Sequence, residues 1–437
     1  MRISVIGCGY LGAVHAASMA ELGHDVIGID VDPGKIQALK AAKAPFFEPG
    51  LEGILESAMR SGRLSFSTDI ADAKGSQVHF VAVGTPQKRG ENAADLTYVD
   101  AAIEGILPHL SEGDLVVGKS TVPVGTAARL AERIDEAGTG ASLAWNPEFL
   151  REGYAVKDTI APDRLVYGVA AGEKGLKAKE LLDQVYATAI ANETPVVVTD
   201  YATAELVKVS ANAFLATKIS FINAMAEIAE VAGADVTSLA DAIGYDARIG
   251  RRFLNAGIGF GGGCLPKDIR AFSARAEELG RGESVRFLLE IDAINMRRRE
   301  RAIDMVIEAL GGQVYKKKVA VLGLAFKPDS DDVRDSPALD VAVRLNGLGA
   351  HVIATDPEAI PNSIRLHPQL GFATDTLDAL HGADVVVLVT EWKEYRELDP
   401  VEIGELVRDK VIIDGRNVLD PVKWRAAGWT YKGMGRP

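Results

Sequence analysis

ISVIGCGYLG, at residues 3–12, is a strand–turn–helix pattern, and the predicted architecture of the chain is built outward from it. A short apolar strand precedes a G-x-G-x-x-G turn formed by Gly7, Gly9 and Gly12, and a helix follows it. In such a turn the first glycine permits the tight bend and the second lets a diphosphate approach the backbone. The third allows the helix to pack closely on the strand. The pattern predicts a dinucleotide-binding βαβ unit.

A second predicted strand, at residues 25–29, ends at Asp30. Its carboxylate can accept hydrogen bonds from both hydroxyls of an adenosine ribose, whereas a 2′-phosphate there would meet a like charge, so NAD is favoured over NADP. Lys35 lies nearby and leaves NADP open as the alternative. Cys8 occupies a variable position of the turn and is interpreted as a small packing residue.

Two further apolar runs, at residues 78–83 and 115–118, predict strands that are followed by threonines. Thr85 follows the first strand and Thr121 the second, and open α/β sheets bind ligands at the carboxyl ends of their strands. Thr126 is predicted to cap a helix that begins at the next residue. Ordinary capping and turn chemistry explains these threonines equally well.

Glu148 and Glu152 are four residues apart, so a helical turn would place both carboxylates on one face. Two carboxylates in one site push their pKa values apart, which suits acid–base catalysis or the ordering of a water molecule. Spacing alone favours the alternative, a solvated helix face.

The stretch from residue 202 to residue 232 contains neither Gly nor Pro and predicts a helix of about 45 Å. Asp200 is its candidate N-cap. Lys208 and Asn212 share one face among apolar neighbours, which favours a half-buried lysine that handles protons or water, with a solvated face as an even alternative. A helix of this length can connect two domains and pair with its copy in a symmetric dimer.

Residues 259–268, GFGGGCLPKD, place three consecutive glycines before Cys264. Glycine has no Cβ, so the run is expected to let the backbone approach a ligand closely. A thiol with Lys267 three residues later suits a nucleophile whose thiolate is stabilised. The alternative is a flexible loop with an incidental cysteine.

Basic residues indicate where an anionic ligand binds. Three arginines before the glycine run suit a substrate diphosphate, with a basic rim for subunit contacts as the alternative: Arg248, Arg251 and Arg252. Lys327 and Arg334 follow a predicted strand at residues 318–322, and Arg416 follows another at residues 411–414. Phosphate can bind at such strand ends, although surface charge also explains these residues.

The last part of the chain repeats the β-α-β order without a second G-x-G-x-x-G motif, so no second dinucleotide is assigned. The sequence therefore predicts an α/β protein with two Rossmann-like, doubly wound domains joined by a long central helix and a helical middle segment. The predicted domains are an NAD-binding domain at residues 1–199, a central helical dimerisation domain at residues 200–311 and a Rossmann-like domain at residues 312–437.

The chain has 437 residues, of which 47% are hydrophobic, and a formal net charge of −13. This charge argues against nucleic acid or an anionic membrane as the main partner. No apolar run reaches membrane-spanning length, and Met1–Gly7 is typical of a strand and not of a secretion signal. Cys8 and Cys264 are the only cysteines and form no disulfide pattern. We expect a soluble cytoplasmic protein without a metal site.

Over essentially its whole length the chain resembles the UDP-glucose/GDP-mannose dehydrogenase family. The resemblance is carried by the glycine motif at residues 7–12, PFFEPGL at 45–51, STVPVGT at 120–126, NPEFL at 146–150, and the segments 208–223, 259–268 and 325–334. The GFGGGCLPKD and KISFIN runs look more like the members that oxidise UDP-glucose than those acting on GDP-mannose or UDP-N-acetylmannosamine. Ala224 departs from the family pattern, which usually has Glu there.

The resemblance implies a four-electron oxidation of UDP-glucose to UDP-glucuronate that uses two NAD molecules in succession. A thiolate adds to the intermediate aldehyde as a thiohemiacetal, its oxidation gives a thioester, and water hydrolyses the thioester. This chemistry explains why a hydride-transfer enzyme needs a cysteine. The resemblance also implies that the last domain binds the UDP-sugar and that the long helix forms the core of a homodimer or higher homo-oligomer.

By this resemblance Cys264 is the nucleophile, and Lys208 and Asp268 handle the oxyanion, water and protons. Lys208 is then the better partner for Cys264, and Lys267 becomes a cofactor contact. Three groups assist the chemistry, with Glu148 as the activator of the hydrolytic water: Thr121, Glu148 and Asn212. The implied NAD contacts are Gly7, Gly9, Leu11, Gly12, Asp30, Lys35, Thr85, Thr121, Glu152, Lys267 and Arg334. The implied substrate contacts are Phe149, Leu150, Arg151, Glu152, Lys208, Asn212, Phe253, Leu254, Asn255, Ala256, Gly257, Gly261, Lys327 and Arg416, with Arg248 reaching the substrate of the neighbouring subunit.

Three alternatives stay open. The first is the same chemistry on another nucleotide sugar, a UDP-N-acetylhexosamine or GDP-mannose. The second is a two-electron dehydrogenase of the hydroxyacid or hydroxyacyl type, which shares the first domain and a helical segment but needs no thiol. The third is a non-catalytic nucleotide-sugar binding protein, which has no use for Cys264 together with Lys208 and Asp268.

Overall fold

The computed structural model describes every residue from Met1 to Pro437, and these residues form two compact units. The first unit comprises residues 1–211 with 274–280, and the second comprises residues 212–273 with 281–437. Each unit is built around its own β-sheet.

The sheet of the first unit has eight strands in the order β3-β2-β1-β4-β5-β6-β7-β8. All neighbouring strands are parallel except β6 and β7, which are antiparallel. The strands are β1 (Arg2–Ile6), β2 (Asp25–Ile29), β3 (Leu64–Ser67), β4 (Val78–Val81), β5 (Leu115–Gly118), β6 (Ser142–Trp145), β7 (Leu165–Val169) and β8 (Val196–Thr199).

Helices connect these strands, and two apolar cores pack the sheet. Strands β4 and β5 are buried along their whole length, which is why β5 appears in the sequence as a continuous apolar run and β4 as one interrupted only by His79. The helices are α1 (Tyr10–Glu21), α2 (Pro33–Lys40), α3 (Leu51–Arg60), α4 (Thr97–Ile106), α5 (Thr126–Glu136), α6 (Ala155–Ile160), α7 (Glu173–Val185) and α8 (Ala187–Ala191). Short 3-10 helices lie at Ile70–Ala73 and Leu107–His109.

Helices dominate the middle of the chain. They are α9 (Tyr201–Ala232), α10 (Val236–Gly244), α11 (Leu265–Glu278) and α12 (Phe287–Ala309), with a 3-10 turn at Gly282–Val285. Both α9 and α11 contribute residues to the two units. The Asp200 carboxylate accepts a hydrogen bond from the Thr203 N–H at 2.8 Å, which confirms the predicted cap of α9. None of the helices has the length and apolar character needed to span a membrane.

The sheet of the second unit has six parallel strands in the order β11-β10-β9-β12-β13-β14. Its strands are β9 (Lys318–Leu322), β10 (His351–Thr355), β11 (Gly371–Phe372), β12 (Val385–Leu388), β13 (Val411–Asp414) and β14 (Thr430–Gly433). Its helices are α13 (Pro337–Gly347), α14 (Ile360–Leu366), α15 (Thr376–Leu380), α16 (Lys393–Arg396), α17 (Pro400–Ile403) and α18 (Pro421–Ala426). Two doubly wound sheets, the first mostly and the second wholly parallel, with the long helix α9 following the first, confirm the predicted fold class.

Two local predictions are wrong. Helix α5 begins at Thr126 with Gly125 as its cap, because the Glu205 carboxylate and not a threonine hydroxyl accepts from the first N–H groups. Residues 146–154 form no helix, so Glu148 and Glu152 do not share a helical face.

Candidate functional site

The glycine turn between β1 and α1 has one crowded side and one open side. A Cβ built on Gly12 would lie 1.7 Å from the carbonyl oxygen of Gly7, and one built on Gly7 would lie 2.7 Å from the Val83 side chain. A Cβ on Gly9 would meet nothing within 4 Å. Gly9 also directly precedes α1, whose first N–H groups attract an anion, so the space a Cβ would fill suits a diphosphate. Leu11 lies half-buried in the first turn of this helix.

Asp30 lies at the carboxyl end of β2 and faces the same turn. Its Oδ2 accepts from the Cys8 N–H at 2.8 Å and from Lys35 Nζ at 2.7 Å. These partners orient the carboxylate at the place where an adenosine ribose binds in such a unit. Burial raises the pKa of the Cys8 thiol well above its ordinary value, with the Asp30 charge adding to the effect. Cys8 is therefore a neutral packing residue, as predicted.

Two strand-end loops of the first unit are tied together by threonine. Thr85 Oγ1 donates to the carbonyl of Thr121 at 2.8 Å. The second loop is fixed further by Glu205 of α9, whose two carboxylate oxygens accept from the N–H groups of Gly125 and Ala127 at 2.7 Å. Sequence reasoning missed Glu205, because nothing in its own segment shows that it caps a distant helix.

Glu148 lies in the loop after β6, and N–H groups surround its carboxylate. Its Oε1 accepts from the N–H groups of Phe149 at 2.8 Å and Leu150 at 3.0 Å. Lys119 Nζ lies 3.1 Å from its Oε2. Lys208 is half-buried, and its Nζ lies 5.4 Å from the centre of the Phe149 ring. The structure therefore brings Glu148 and Lys208 to the same aromatic residue.

The loop that carries Arg151 and Glu152 is held by a buried carboxylate that the sequence motifs did not single out. Glu48 accepts from the N–H groups of Gly153 and Ala155, both at 2.7 Å, and from the Tyr10 hydroxyl. Burial, with the hydrogen bond to Glu48, raises the pKa of Tyr10. Arg151 is exposed and pairs with Asp158, whose Oδ1 lies 2.7 Å from its Nη2. The loop is thereby anchored to the start of α1.

Other protein groups pack closely against the glycine run of the second unit. A Cβ on Gly259 would lie 2.3 Å from the Asn295 side chain, one on Gly261 would lie 2.3 Å from the Asp335 carbonyl, and one on Gly262 would lie 2.7 Å from the Phe326 ring. The Asn295 amide also pairs with the backbone of Phe260, accepting at 2.7 Å and donating at 2.9 Å. Protein groups therefore occupy the space that Cβ atoms at these three glycines would need.

Cys264 is exposed and directly precedes α11. Its carbonyl accepts from the Asp268 N–H at 2.9 Å, in the pattern of a first helical turn. The N-terminal end of a helix stabilises negative charge, so this position favours a thiolate. Asp268 is buried, and its carboxylate accepts from Asn212 Nδ2 and from Lys267 Nζ, both at 2.6 Å. Lys267 is thus the ion-pair partner of Asp268.

The segment Phe253–Gly257 is held by its neighbours in the second unit. Gly257 donates its N–H to Asn223 at 2.9 Å and accepts from the buried Arg298 at 3.3 Å. Asn417 donates to the carbonyl of Ala256 at 3.2 Å. Phe253 has a φ of 65°, which is uncommon for a non-glycine residue and marks a local backbone constraint.

The basic residues behave differently from one another. Arg248 is exposed and pairs with Asp246 at 2.6 Å, and Arg251 pairs with Asp241 at 2.5 Å. Arg416 is largely buried and donates to three backbone carbonyls, those of Val389 at 2.8 Å, Gly259 at 2.9 Å and Phe326 at 3.1 Å. Burial lowers its pKa. Arg416 therefore links the glycine run to two strand-end turns of the second sheet.

Lys327 and Arg334 lie in the long turn after β9. Lys327 Nζ is 5.3 Å from the centre of the Phe326 ring, and Arg334 Nη2 is 2.7 Å from Asp332. A Cβ on Gly263 would lie 2.4 Å from the Arg334 guanidinium, so this side chain lies against the residue before Cys264. The turn thus places Arg334 next to the glycine run and Lys327 beside the Phe326 ring.

Comparison with known proteins gives the same assignment along the whole chain. The NAD-binding domain of the UDP-glucose/GDP-mannose dehydrogenase family matches residues 1–190, its central domain matches residues 202–297 and its UDP-binding domain matches residues 320–421. The chain belongs to this family. It is an NAD-binding oxidoreductase, in agreement with the open space at Gly9 and the carboxylate of Asp30.

The similarity extends over full-length proteins. A UDP-glucose 6-dehydrogenase of Rhizobium meliloti is 43% identical over 440 residues, with 100% of both chains covered. The solved structure of a UDP-glucose dehydrogenase from Pyrobaculum islandicum is 39% identical, with a TM-score of 0.90 over 100% of this chain and 98% of that one. A UDP-D-ManNAc dehydrogenase from Pyrococcus horikoshii is 28% identical, with a TM-score of 0.86 over 100% of this chain and 99% of that one.

Proposed function

We propose that this dehydrogenase oxidises UDP-glucose to UDP-glucuronate, consuming two NAD and one water and producing two NADH. The observation that carries the proposal is the exposed thiol of Cys264 at the start of α11, one helical turn from the buried Asp268. The higher identity to UDP-glucose enzymes, 43% and 39%, than to the UDP-D-ManNAc enzyme, 28%, supports glucose as the sugar.

In this proposal NAD, when bound, supplies the hydride acceptor for both oxidations. The Cys264 thiolate adds to the aldehyde to give a thiohemiacetal, and the second oxidation converts it to a thioester. Lys208 and Asp268 handle the oxyanion and protons. Water then adds to the thioester carbonyl and the C–S bond breaks, which regenerates the thiolate.

Three further side chains assist this chemistry. Asn212 donates to Asp268 and stabilises the oxyanions, Thr121 lies at the tied strand-end loops, and Glu148 activates the hydrolytic water. The proposed NAD contacts are Gly7, Gly9, Leu11, Gly12, Asp30, Lys35, Thr85, Thr121, Glu152, Lys267 and Arg334. The proposed substrate contacts are Phe149, Leu150, Arg151, Glu152, Lys208, Asn212, Arg248, Phe253, Leu254, Asn255, Ala256, Gly257, Gly261, Lys327 and Arg416.

The proposed assembly is a homodimer or higher homo-oligomer in the cytoplasm. Three apolar side chains of α9 recur every seven residues and are exposed by 67%, 47% and 57%: Phe214, Phe221 and Ile228. Such a stripe fits a second copy of the same helix. The proposed domains are residues 1–199 for NAD, 200–311 for dimerisation and the Cys264 loop, and 312–437 for the UDP-sugar.

The stoichiometry of NADH tests this function. Purified protein with limiting UDP-glucose is expected to form two NADH per sugar, and one NADH with an aldehyde product would refute the four-electron scheme. Cys264→Ser is expected to stall before the acid product, whereas full turnover of this variant would support a two-electron dehydrogenase. A panel of nucleotide sugars, compared by kcat/KM, separates UDP-glucose from UDP-N-acetylhexosamines and GDP-mannose. The absence of NADH with every sugar would indicate a binding protein.

A further inference from the structure

The first unit contains a buried lysine that no motif singled out. Lys119 directly follows β5, and its side chain is only 3% exposed. Its Nζ lies 2.9 Å from Asn146 Oδ1, 3.1 Å from the Tyr186 hydroxyl and 3.1 Å from Glu148 Oε2. An ammonium group has three N–H donors, and these three acceptors match them in number.

The surroundings of Lys119 show why the charge is stable there. A buried ammonium is costly unless it is paired with an anion, and Glu148 is the carboxylate at its head group. The Tyr186 hydroxyl donates to Asn146 Oδ1 at 2.6 Å, and Asn146 Nδ2 donates to the Val166 carbonyl at 3.0 Å. The amide is thereby fixed with its oxygen towards Lys119, so the network holds the ammonium in one place.

The same network fixes Glu148. A carboxylate offers about four acceptor sites. Two donors occupy Oε1, the N–H groups of Phe149 and Leu150, and Lys119 occupies one site on Oε2. One acceptor site on Oε2 is left over from these contacts, and its direction is set by the other three.

We propose that Lys119 is a positioning residue, which holds Glu148 so that the remaining acceptor site of Oε2 orients the water that hydrolyses the thioester. This rests on the proposed function. In that step the water oxygen bonds to the acyl carbon, Glu148 accepts one water proton, the C–S bond breaks and Cys264 leaves as a thiolate. No electrons are transferred, so the step balances without an oxidant. Because Lys119 is buried, it acts through Glu148 and touches neither substrate nor cofactor.

Rapid-mixing measurement of NADH formation tests the proposal with Lys119→Met in the full-length protein. The variant is expected to form two NADH per active site in a burst at close to the wild-type rate. Steady turnover should then be about 10²-fold slower, the size of effect that loss of an acid–base group produces. Mass spectrometry of acid-quenched protein should show a UDP-glucuronyl group on Cys264, while the KM for UDP-glucose changes less than twofold.

A double-mutant cycle separates positioning from a general structural role. If Lys119 acts through Glu148, then Lys119→Met should slow hydrolysis little further in a Glu148→Gln background, whereas a structural role would give independent, multiplying effects. Lys318→Met is the matched control, because that lysine is half-buried and donates to the His381 carbonyl at 2.5 Å in the second unit. The control variant should show neither the NADH burst nor the UDP-glucuronyl adduct on Cys264.

Two results would overturn the inference while leaving the proposed function intact. The first is a slower rate of formation of the first NADH in Lys119→Met. The second is slow steady turnover of that variant without an adduct on Cys264. In both cases the wild-type protein would still yield two NADH per sugar. A wild-type yield of one NADH would instead refute the proposed function. Should Lys119→Met not fold, Tyr186→Phe removes one of the three acceptors of Lys119. It should give a several-fold slower hydrolysis with the same adduct, and the absence of that adduct would equally overturn the inference.

Discussion

The two sheets of this protein share the strand order of their central part but use their ligand-binding edges differently. The first sheet runs β3-β2-β1-β4-β5-β6 and the second runs β11-β10-β9-β12-β13-β14. In both, a glycine with positive φ follows the first strand and donates its N–H to the end of the second strand. Gly7 donates to Ile29 at 2.7 Å, and Gly323 donates to Thr355 at 2.9 Å.

The acidic residue after the second strand marks the difference. Asp30 accepts from two backbone N–H groups and from the flexible side chain of Lys35. Asp356 accepts from four backbone N–H groups and from the indole of Trp392 at 3.1 Å. A lysine can move aside for a ribose, but a buried tryptophan and the backbone cannot. The same position is therefore suited to cofactor recognition in one sheet and to stabilising its own turn in the other.

The length of the first turn accounts for this division. Residues 7–9 separate β1 from α1, whereas residues 323–336 separate β9 from α13. The longer turn packs against the glycine run, where the Gly262 N–H donates to the Arg334 carbonyl at 3.0 Å. A doubly wound sheet without a dinucleotide motif thus holds the glycine run that precedes Cys264.

The largest expected effect concerns the short turn that only the first sheet has. Gly12→Ala puts a Cβ 1.7 Å from the Gly7 carbonyl, so we expect loss of the folded first unit or a destabilisation of at least about 3 kcal/mol. Gly9→Ala has open space, so it should leave the melting temperature nearly unchanged and weaken NAD binding. Calorimetry measures the melting temperatures of the two variants, and a titration measures their binding of NAD. Equal melting temperatures would contradict the assignment of a packing role to Gly12 and a ligand-binding role to Gly9.

The paired aspartates should respond in opposite ways. Asp356→Ala leaves five donors without their acceptor, so the free energy of unfolding should fall by about 3 kcal/mol or more. Asp30→Ala should raise the KM for NAD by about tenfold or more with a smaller loss of stability, since its main expected partner is a ligand. Denaturant titration of both variants measures the free energy of unfolding, and steady-state kinetics measure the KM for NAD. A rise in the KM for NAD in Asp356→Ala alone would contradict the roles assigned to the two aspartates.

The long turn of the second sheet can be probed through the glycines that it covers. Gly261→Ala meets the backbone carbonyl of Asp335 at 2.3 Å, so it should cost about 1–3 kcal/mol and lower kcat. Gly263→Ala meets the guanidinium of Arg334 at 2.4 Å, which is the far end of a long side chain and not backbone. We expect a few-fold change in the KM for NAD and little loss of stability. A larger stability loss for Gly263→Ala would show that Arg334 is rigidly held.

The smallest expected effect is a dependence of stability on pH that both units share. Burial raises the pKa of Glu205 in the first unit and of Asp414 in the second. A carboxyl with a raised folded pKa favours the folded state below its unfolded pKa of about 4 and loses that contribution as pH rises through the folded value. Glu205→Gln and Asp414→Asn should each flatten the fall of unfolding free energy above about pH 4. An unchanged slope of unfolding free energy against pH in both variants would contradict the prediction that these two carboxyls cause the fall.

The fold could be predicted largely from local patterns. Strands that are buried on both faces, such as β4 and β9, read as apolar runs, and the long helix α9 lacks any residue that would break it. Strand β3, which the sequence patterns do not predict, is half-exposed, so its composition resembles that of a loop. The antiparallel pairing of β6 with β7 depends on a chain reversal that no residue pattern announces.

The candidate site was less predictable, because its chemistry depends on contacts between distant segments. The Cys264 loop and the glycine turn carry motifs of their own, but Glu205 and Lys119 do not, and the motif that contains Glu48 assigns it no role. Their roles follow from the N–H groups or carboxylates that the folded chain brings to them. The spacing of Glu148 and Glu152 was misleading, since a periodicity argument requires a helix and this loop has none.

The contrast between the two cysteines has a practical use. Cys8 is fully buried with a raised pKa, whereas Cys264 is exposed at a helix start. A thiol-directed reagent added to the folded protein is therefore expected to modify one sulfur per chain. Titration with such a reagent would count the chains in a preparation that have an accessible Cys264 thiol. Protection of this thiol by bound UDP-sugar would report the occupancy of the substrate site without any turnover. An electrophile attached to a uridine nucleotide would use the same selectivity as an irreversible inhibitor.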